Sequence, residues 1–246
     1  MAEVRPLTVR GPMLPFSLDL DIEGFTLVSW ELPPYRLARW LPPGLELAER
    51  DAEHGRVAYL SVFVGRNVVR RIGGLPAFPF RIPQLNYRTY VRTADGPALF
   101  IFRSIVGAHP LGRGLRLLPA LSGEVMDFSF ALDDDEEPSV EVKVGRDGDE
   151  LAFRVSADQG LQPIRGFASP EEAIRFLGDV RDALYPQGED TVGLMLSQHP
   201  PLAPVAGHLR DPHFNWLIDR GILTPLEARY PLCTLFQRDA PFPVQP

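Results

Sequence analysis

The sequence predicts an α+β fold, mostly antiparallel β-sheet with a few peripheral helices. Three observations predict it. Segments rich in β-branched and aromatic residues recur along the chain, Pro and Gly interrupt them at strand-length intervals, and only two stretches carry a helical period. With 26 prolines and 21 glycines among 246 residues, this is the rhythm of a sandwich or a barrel. A β-rich chain of this length can form one domain. No internal repeat and no long linker divides it, so residues 1–246 are expected to fold as a single domain.

Val57 to Val64 is a strand by residue type. Tyr87–Arg92 and Pro97–Val106 flank the turn residues Thr93-Ala94-Asp95-Gly96, which predicts an antiparallel hairpin. Within it, the run Ala98–Phe102 is apolar throughout and should be buried on both faces. Val125–Phe130 alternates in polarity, as do Val140–Val144 and Leu151–Val155 on either side of the turn Arg146–Asp149. The clearer helix starts at the N-cap Ser169, with Pro170 in its first position and Glu172 closing a capping box. Its apolar stripe runs through Ile174, Phe176, Leu177, Val180 and Leu184 until Pro186 and Gly188 stop it. A second helix is expected from Asp211-Pro212 to just before Gly221, burying Phe214, Leu217 and Ile218.

Apolar residues make up 45% of the chain and charged ones 23%, an ordinary soluble composition. A net charge of −7 argues against a nucleic-acid or anionic-membrane surface, both of which need clustered cations. The acidic run Asp133–Glu137 reads as a solvated loop. Cys233 is the single cysteine, so the chain forms no internal disulfide, and its apolar neighbours predict a buried, inert thiol. The first residues lack the apolar core of a secretory signal, and no apolar run is long enough to span a membrane. A cytoplasmic protein is expected.

The stretch Gly112-Arg113-Gly114-Leu115-Arg116-Leu117-Leu118-Pro119-Ala120-Leu121 resembles the Gly-Arg-Glu-x-x-x-aromatic-Pro-Lys-Lys segment of the acetoacetate decarboxylases. In that family the first lysine forms a Schiff base with the substrate ketone and the second lowers its pKa. Ala120 and Leu121 stand in their places, and an alanine methyl cannot form an imine. Phe25–Trp30, followed by Leu37–Leu45, looks like the superfamily's opening strand, short helix and Leu-Pro-Pro-Gly-Leu turn. Gln84-Leu85-Asn86-Tyr87-Arg88-Thr89-Tyr90-Val91 is similar to a Glu-Leu-Asn-Val-Arg-Thr-Tyr-Val segment of an uncharacterised bacterial branch. Gln84 takes the place of a catalytic glutamate, while a second family glutamate falls near Leu60 and an arginine near Ile22. The likeness covers residues 16–131 well and the last third more loosely, through Ser197–Leu202. It implies a decarboxylase-like sheet curled into a barrel around an apolar interior, without the decarboxylase chemistry.

Gln84, Asn86 and Arg88 are spaced by two and therefore share one face of their strand. The resemblance puts Gln84 at the mouth of the interior pocket, where it could hydrogen-bond a carbonyl but not exchange a proton. The same row could be structural, with Arg88 anchoring a carboxylate of the chain and Asn86 satisfying backbone groups. Arg113, which aligns with a family arginine, could bind a carboxylate bidentately, or be an exposed loop residue. His199, His208 and His213 do not have metal-site spacing, and Asp211 reads better as a helix cap. Lys143, the sole lysine, lies on the polar side of an alternating strand beside Glu141 and should be solvated. No nucleotide-binding or nucleophile-elbow motif occurs.

The expectation is a protein that binds a small apolar or carboxylated molecule at Gln84, Asn86, Arg88, Arg113 and Ala120, with no cofactor and no metal. Any catalysis would be non-covalent, of lyase or isomerase type. The alternative is a non-enzymatic ligand-binding or interaction protein with a filled pocket. A homo-oligomer is left open.

Overall fold

The computed structural model describes residues 7–12, 16–53, 55–108, 123–134, 136–158, 160–188 and 190–245. In chain order the first half holds β1 (Thr8–Pro12), β2 (Leu18–Leu32), α1 (Pro34–Ala38), β3 (Glu46–Leu47), β4 (Arg50–Ala52), β5 (Gly55–Ile72), β6 (Leu75–Thr93) and β7 (Gly96–Gly107). Next come β8 (Glu124–Met126), β9 (Phe128–Asp133), β10 (Ser139–Val144), β11 (Leu151–Ala157) and α2 (Pro170–Leu177). The rest is β12 (Asp182–Pro186), β13 (Thr191–Ser197), β14 (Val205–His213), α3 (Asn215–Asp219), α4 (Pro225–Arg229), β15 (Cys233–Pro241) and β16 (Val244–Gln245).

The strands join in the order β4-β5-β6-β7-β12-β13-β16-β2-β15-β14-β11-β10-β9, with β1 on β13, β3 on β6 and β8 on β7. Most pairings are antiparallel; β1 with β13, β12 with β7 and β7 with β8 are parallel. The predicted hairpin is present, with Thr93 opposite Gly96. So is the hairpin of β10 and β11, whose alternating residues divide into one buried and one exposed face. The expected barrel is corrected in one respect. The sheet does not close end to end, because its outer strands β4 and β9 do not pair with each other. It curls instead because β2 pairs with β5 as well as with β15 and β16, and register shifts at Asp19/Leu20 and Glu23/Thr26 bend the β2–β5 pair. Gly65 permits the tightest approach in that bend: a Cβ there would meet Ile22 Cγ2 at 2.4 Å.

Two large apolar cores result, one on each face of the long strands, and a smaller cluster gathers Val91, Ala98, Phe100, Leu184 and Val192. The inner core gathers Leu20, Ile22, Phe25, Phe63, Ile101 and Leu177 inside the curl. The outer core packs Val28, Trp30, Val62 and Tyr87 against Val142, Phe153 and Phe214. The alternation of β5 and β6 assigns neighbouring residues to opposite cores, which is why both strands are buried over much of their length.

The helices depart most from the sequence pattern. Ser169 caps α2 as expected, its hydroxyl accepting the Glu172 N–H at 3.2 Å, and Glu172 Oε2 accepts the Ala168 N–H at 2.7 Å. The helix ends at Gly178, so Val180 follows it and Leu184 lies in β12, opposite Phe100 of β7. Strand pairing there outweighs the helical stripe. The second helix likewise begins at Asn215, because Asp211 and Pro212 belong to β14 and His213 pairs with Ala152. Phe214 and Leu217 are buried and Ile218 partly so. Val125–Phe130 is split at Asp127 into β8 and β9, which pair with different partners. Helix α4 was missed although Thr224-Pro225-Leu226-Glu227 is a full capping box.

Phe214 is fully buried and meets Trp30 edge-on at 4.8 Å and Phe153 at 5.8 Å. Phe214→Ala is expected to destabilise the protein by about 3–5 kcal/mol. In urea denaturation this should lower the midpoint and leave the slope unchanged.

Candidate functional site

The pleat of β6 turns Leu85 and Tyr87 into the outer core and Gln84, Asn86 and Arg88 into the curl. All three polar residues are buried, at 3%, 6% and 6% exposure. They line a cavity of about 50 Å³ inside the ring of β2, β5, β6, β7, β12, β13 and β16. That is room for about three to five waters. Much of the wall is apolar, formed by Leu20, Ile22, Phe25, Phe63, Leu99 and Ile101.

The amides form a network. Asn67 Nδ2 donates to Gln84 Oε1 at 2.7 Å, and Gln84 Nε2 donates to Ser104 Oγ at 3.1 Å and Asn86 Oδ1 at 3.3 Å. None of these groups titrates, so the network can orient and polarise but cannot carry a proton.

Arg88 is held differently. A terminal guanidinium nitrogen donates to the Leu177 carbonyl at 3.0 Å, one of the orphan acceptors at the end of α2. Tyr90 O–H donates to the same carbonyl at 2.7 Å. Since that proton is committed, Ser61 must donate to Tyr90 and Ser29 to Ser61, each at 2.8 Å, a relay across three strands. Phe63 lies under the guanidinium at 5.6 Å. Arg88 Nε is buried without a partner, and no described carboxylate pairs with the side chain. Arg103 is the contrast. Only half-buried, it pairs with Glu124 at 2.8 Å and with Glu150, and stacks on Trp216. Burying an ion costs several kcal/mol, whereas a helix C-terminus returns about 0.3–1 kcal/mol, and about 2 at best. The end of α2 therefore positions Arg88 without neutralising it. The sequence alternative, an arginine anchored on a carboxylate, describes Arg103 rather than Arg88.

Tyr185 also lines the cavity, and its O–H reaches only the Met195 thioether, at 3.8 Å. Burial pushes this phenol far above its ordinary range, so it remains a neutral hydrogen-bond donor. Arg181 stands exposed at the border of the cavity. Tyr185 and Arg181 escaped the sequence reading because both fell inside the over-long helix; the strand period at Ala183 and Tyr185 was the available signal.

Other sequence candidates separate. Ile22 lines the cavity, but Leu60 faces the outer core. Arg113 and Ala120 lie outside the described residues. Lys143 is exposed and paired with Glu141 at 2.7 Å on β10. His199 is buried, stacked on Phe242 at 4.5 Å, with Nδ1–H donating to the Pro200 carbonyl at 2.8 Å. Burial holds its imidazole below the usual range, hence neutral. His208 and His213 are exposed on β14, and among the described residues no three metal-ligating side chains converge.

In three dimensions the chain is similar to the enduracididine biosynthesis enzyme MppR with HEPES buffer bound, at TM-score 0.56 and 16% identity, over 95% of this chain and 88% of that one. MppR complexed with pyruvate matches at TM-score 0.50 and 16% identity, over 94% and 88%. Acetoacetate decarboxylase from Legionella pneumophila subsp. pneumophila str. Philadelphia 1 matches at TM-score 0.53 and 14% identity, over 100% and 90%. At these identities the likeness is one of fold, and the fold is acetoacetate decarboxylase-like. The model of the DUF2071 family, an uncharacterized conserved protein, matches residues 20–234. No curated protein matches significantly in sequence. No helix among the described residues is long and apolar enough to cross a membrane.

Cys233 is half-buried rather than buried as expected, yet desolvation pushes its thiol up to about 12, so little thiolate exists at ordinary pH. Native protein at pH 8.5 should resist iodoacetamide, and protein unfolded in guanidinium should take up one equivalent. Mass spectrometry of the two samples checks this.

Proposed function

The chain belongs to the DUF2071 family, and we propose that its acetoacetate decarboxylase-like fold serves to bind a small carboxylated molecule in the cavity beside Arg88. One observation carries this reading: a buried guanidinium with which no described carboxylate pairs faces an apolar hollow. A ligand carboxylate would supply the missing counter-charge, in a charge-assisted pair stronger than a neutral hydrogen bond. The apolar wall would take the body of the molecule. Tyr185 O–H would exchange a weak thioether partner for a ligand oxygen, while Gln84, Asn86 and Asn67 keep the polar side rigid. MppR complexed with pyruvate shows a similar fold holding an acid of this size.

Any chemistry on such a ligand is non-covalent in this reading. The lysine pair of the decarboxylases is replaced by Ala120 and Leu121, and Lys143 is occupied at the surface. A second reading, a binding or structural protein whose hollow is simply filled, is favoured by the small volume and the self-satisfied amides.

Calorimetric titration with butyrate separates the two readings. Saturable binding is expected in the wild type and is expected to be lost in Arg88→Met, with circular dichroism showing that the variant folds. Absence of butyrate binding to folded wild-type protein would favour the second reading. Treatment with acetoacetate and borohydride should leave the protein mass unchanged; a reduced adduct mapped to Lys143 would reinstate imine chemistry.

A further inference from the structure

A second space lies behind the cavity wall. Between α2 and β12, Gly178 and Val180 face the cavity and Asp179 faces an open groove of about 480 Å³. Arg181 borders both spaces, and Arg175, on the last turn of α2, borders the groove. His199 also lines the groove; its Nδ1–H is committed to Pro200, and its buried Nε2 finds no partner.

What distinguishes these arginines is that they border the two adjoining spaces. In this chain of net charge −7, Arg50, Arg66 and Arg81 each hold a carboxylate. No described carboxylate pairs with Arg88, Arg181 or Arg175, which mark a path from the interior to the surface. The two carboxylates bordering the groove do not neutralise it at Arg181. Asp179 Oδ1 accepts the Leu202 N–H at 2.8 Å and stands 4.0 Å from His199 Nδ1. Glu171 sits exposed on the first turn of α2.

We propose that the site takes a short-chain dicarboxylate, one carboxylate on Arg88 in the cavity and the other outside, between Arg181 and Arg175. The proposal rests on the reading of the cavity as a carboxylate site and extends it to a second subsite. Arg181, at the boundary, would act on both ends of the ligand, and the small cavity would restrict the chain between them to a few carbons.

Calorimetry with succinate, glutarate and adipate, each against the monocarboxylate of equal length, tests this. The best dicarboxylate is expected to bind about tenfold more tightly than its monocarboxylate partner, since two exposed charge contacts are added. Arg175→Gln should reduce that advantage by about threefold without changing monocarboxylate affinity, and Glu171→Gln should increase it. Both residues are exposed, so folding is not at stake. Monocarboxylates binding as tightly as dicarboxylates would overturn the second subsite and leave the Arg88 site standing. A dicarboxylate advantage indifferent to Arg175→Gln and Glu171→Gln would also overturn it. Failure of both ligand classes to bind would remove both proposals.

Discussion

The hydrogen bond from Arg88 to the Leu177 carbonyl joins the two parts of the molecule on which the site depends. It ties the polar row of β6 to the end of α2, and the same carbonyl receives Tyr90 and the serine relay behind it. A helix end buried against a sheet must find donors for its last carbonyls. Here one of those donors is a cation, and the solution satisfies the backbone while leaving the charge unneutralised. The carbonyl fixes where the guanidinium stands, and no described carboxylate pairs with it.

Everything around that contact follows from how strongly the sheet is curled. Long strands with bulges let β2 reach β5 on one side and β15 and β16 on the other, so one face encloses a hollow while the other packs on β10, β11 and α3. The alternation of β5 and β6 then sorts residues between a dry outer core and a mixed inner one. Leu60 and Phe63 illustrate the division: the first belongs to the outer core, the second lies under Arg88. Most of the cavity's polar residues sit on strands, and the connection after α2 adds Gly178, Val180 and Arg181 to its wall.

Much of this was legible in the chain. The period of two places Gln84, Asn86 and Arg88 on one face, and the structure puts all three in one cavity. Turn residues located both hairpins, and Ser169 with Pro170 located the start of α2. The two helices drawn too long share a cause. Leu184, Asp211 and Pro212 fit a helical pattern locally, yet each is drawn into a strand by a partner distant in sequence, Phe100 in one case and the β11 pairing in the other. Local periodicity cannot weigh a hydrogen-bond ladder that forms only when remote segments meet.

The sequence by itself determined the fold class and the polar row of β6, because these follow from residue type, turn chemistry and a spacing internal to one strand. Only the tertiary structure decided what the row faces. Whether Arg88 meets a carboxylate, a carbonyl or a hollow depends on the end of a helix 89 residues away, and Tyr185 and Arg181 join it from a strand that exists because β7 pairs with it. Partnership of a buried charge is set by what the whole chain brings near it, and no local pattern encodes that.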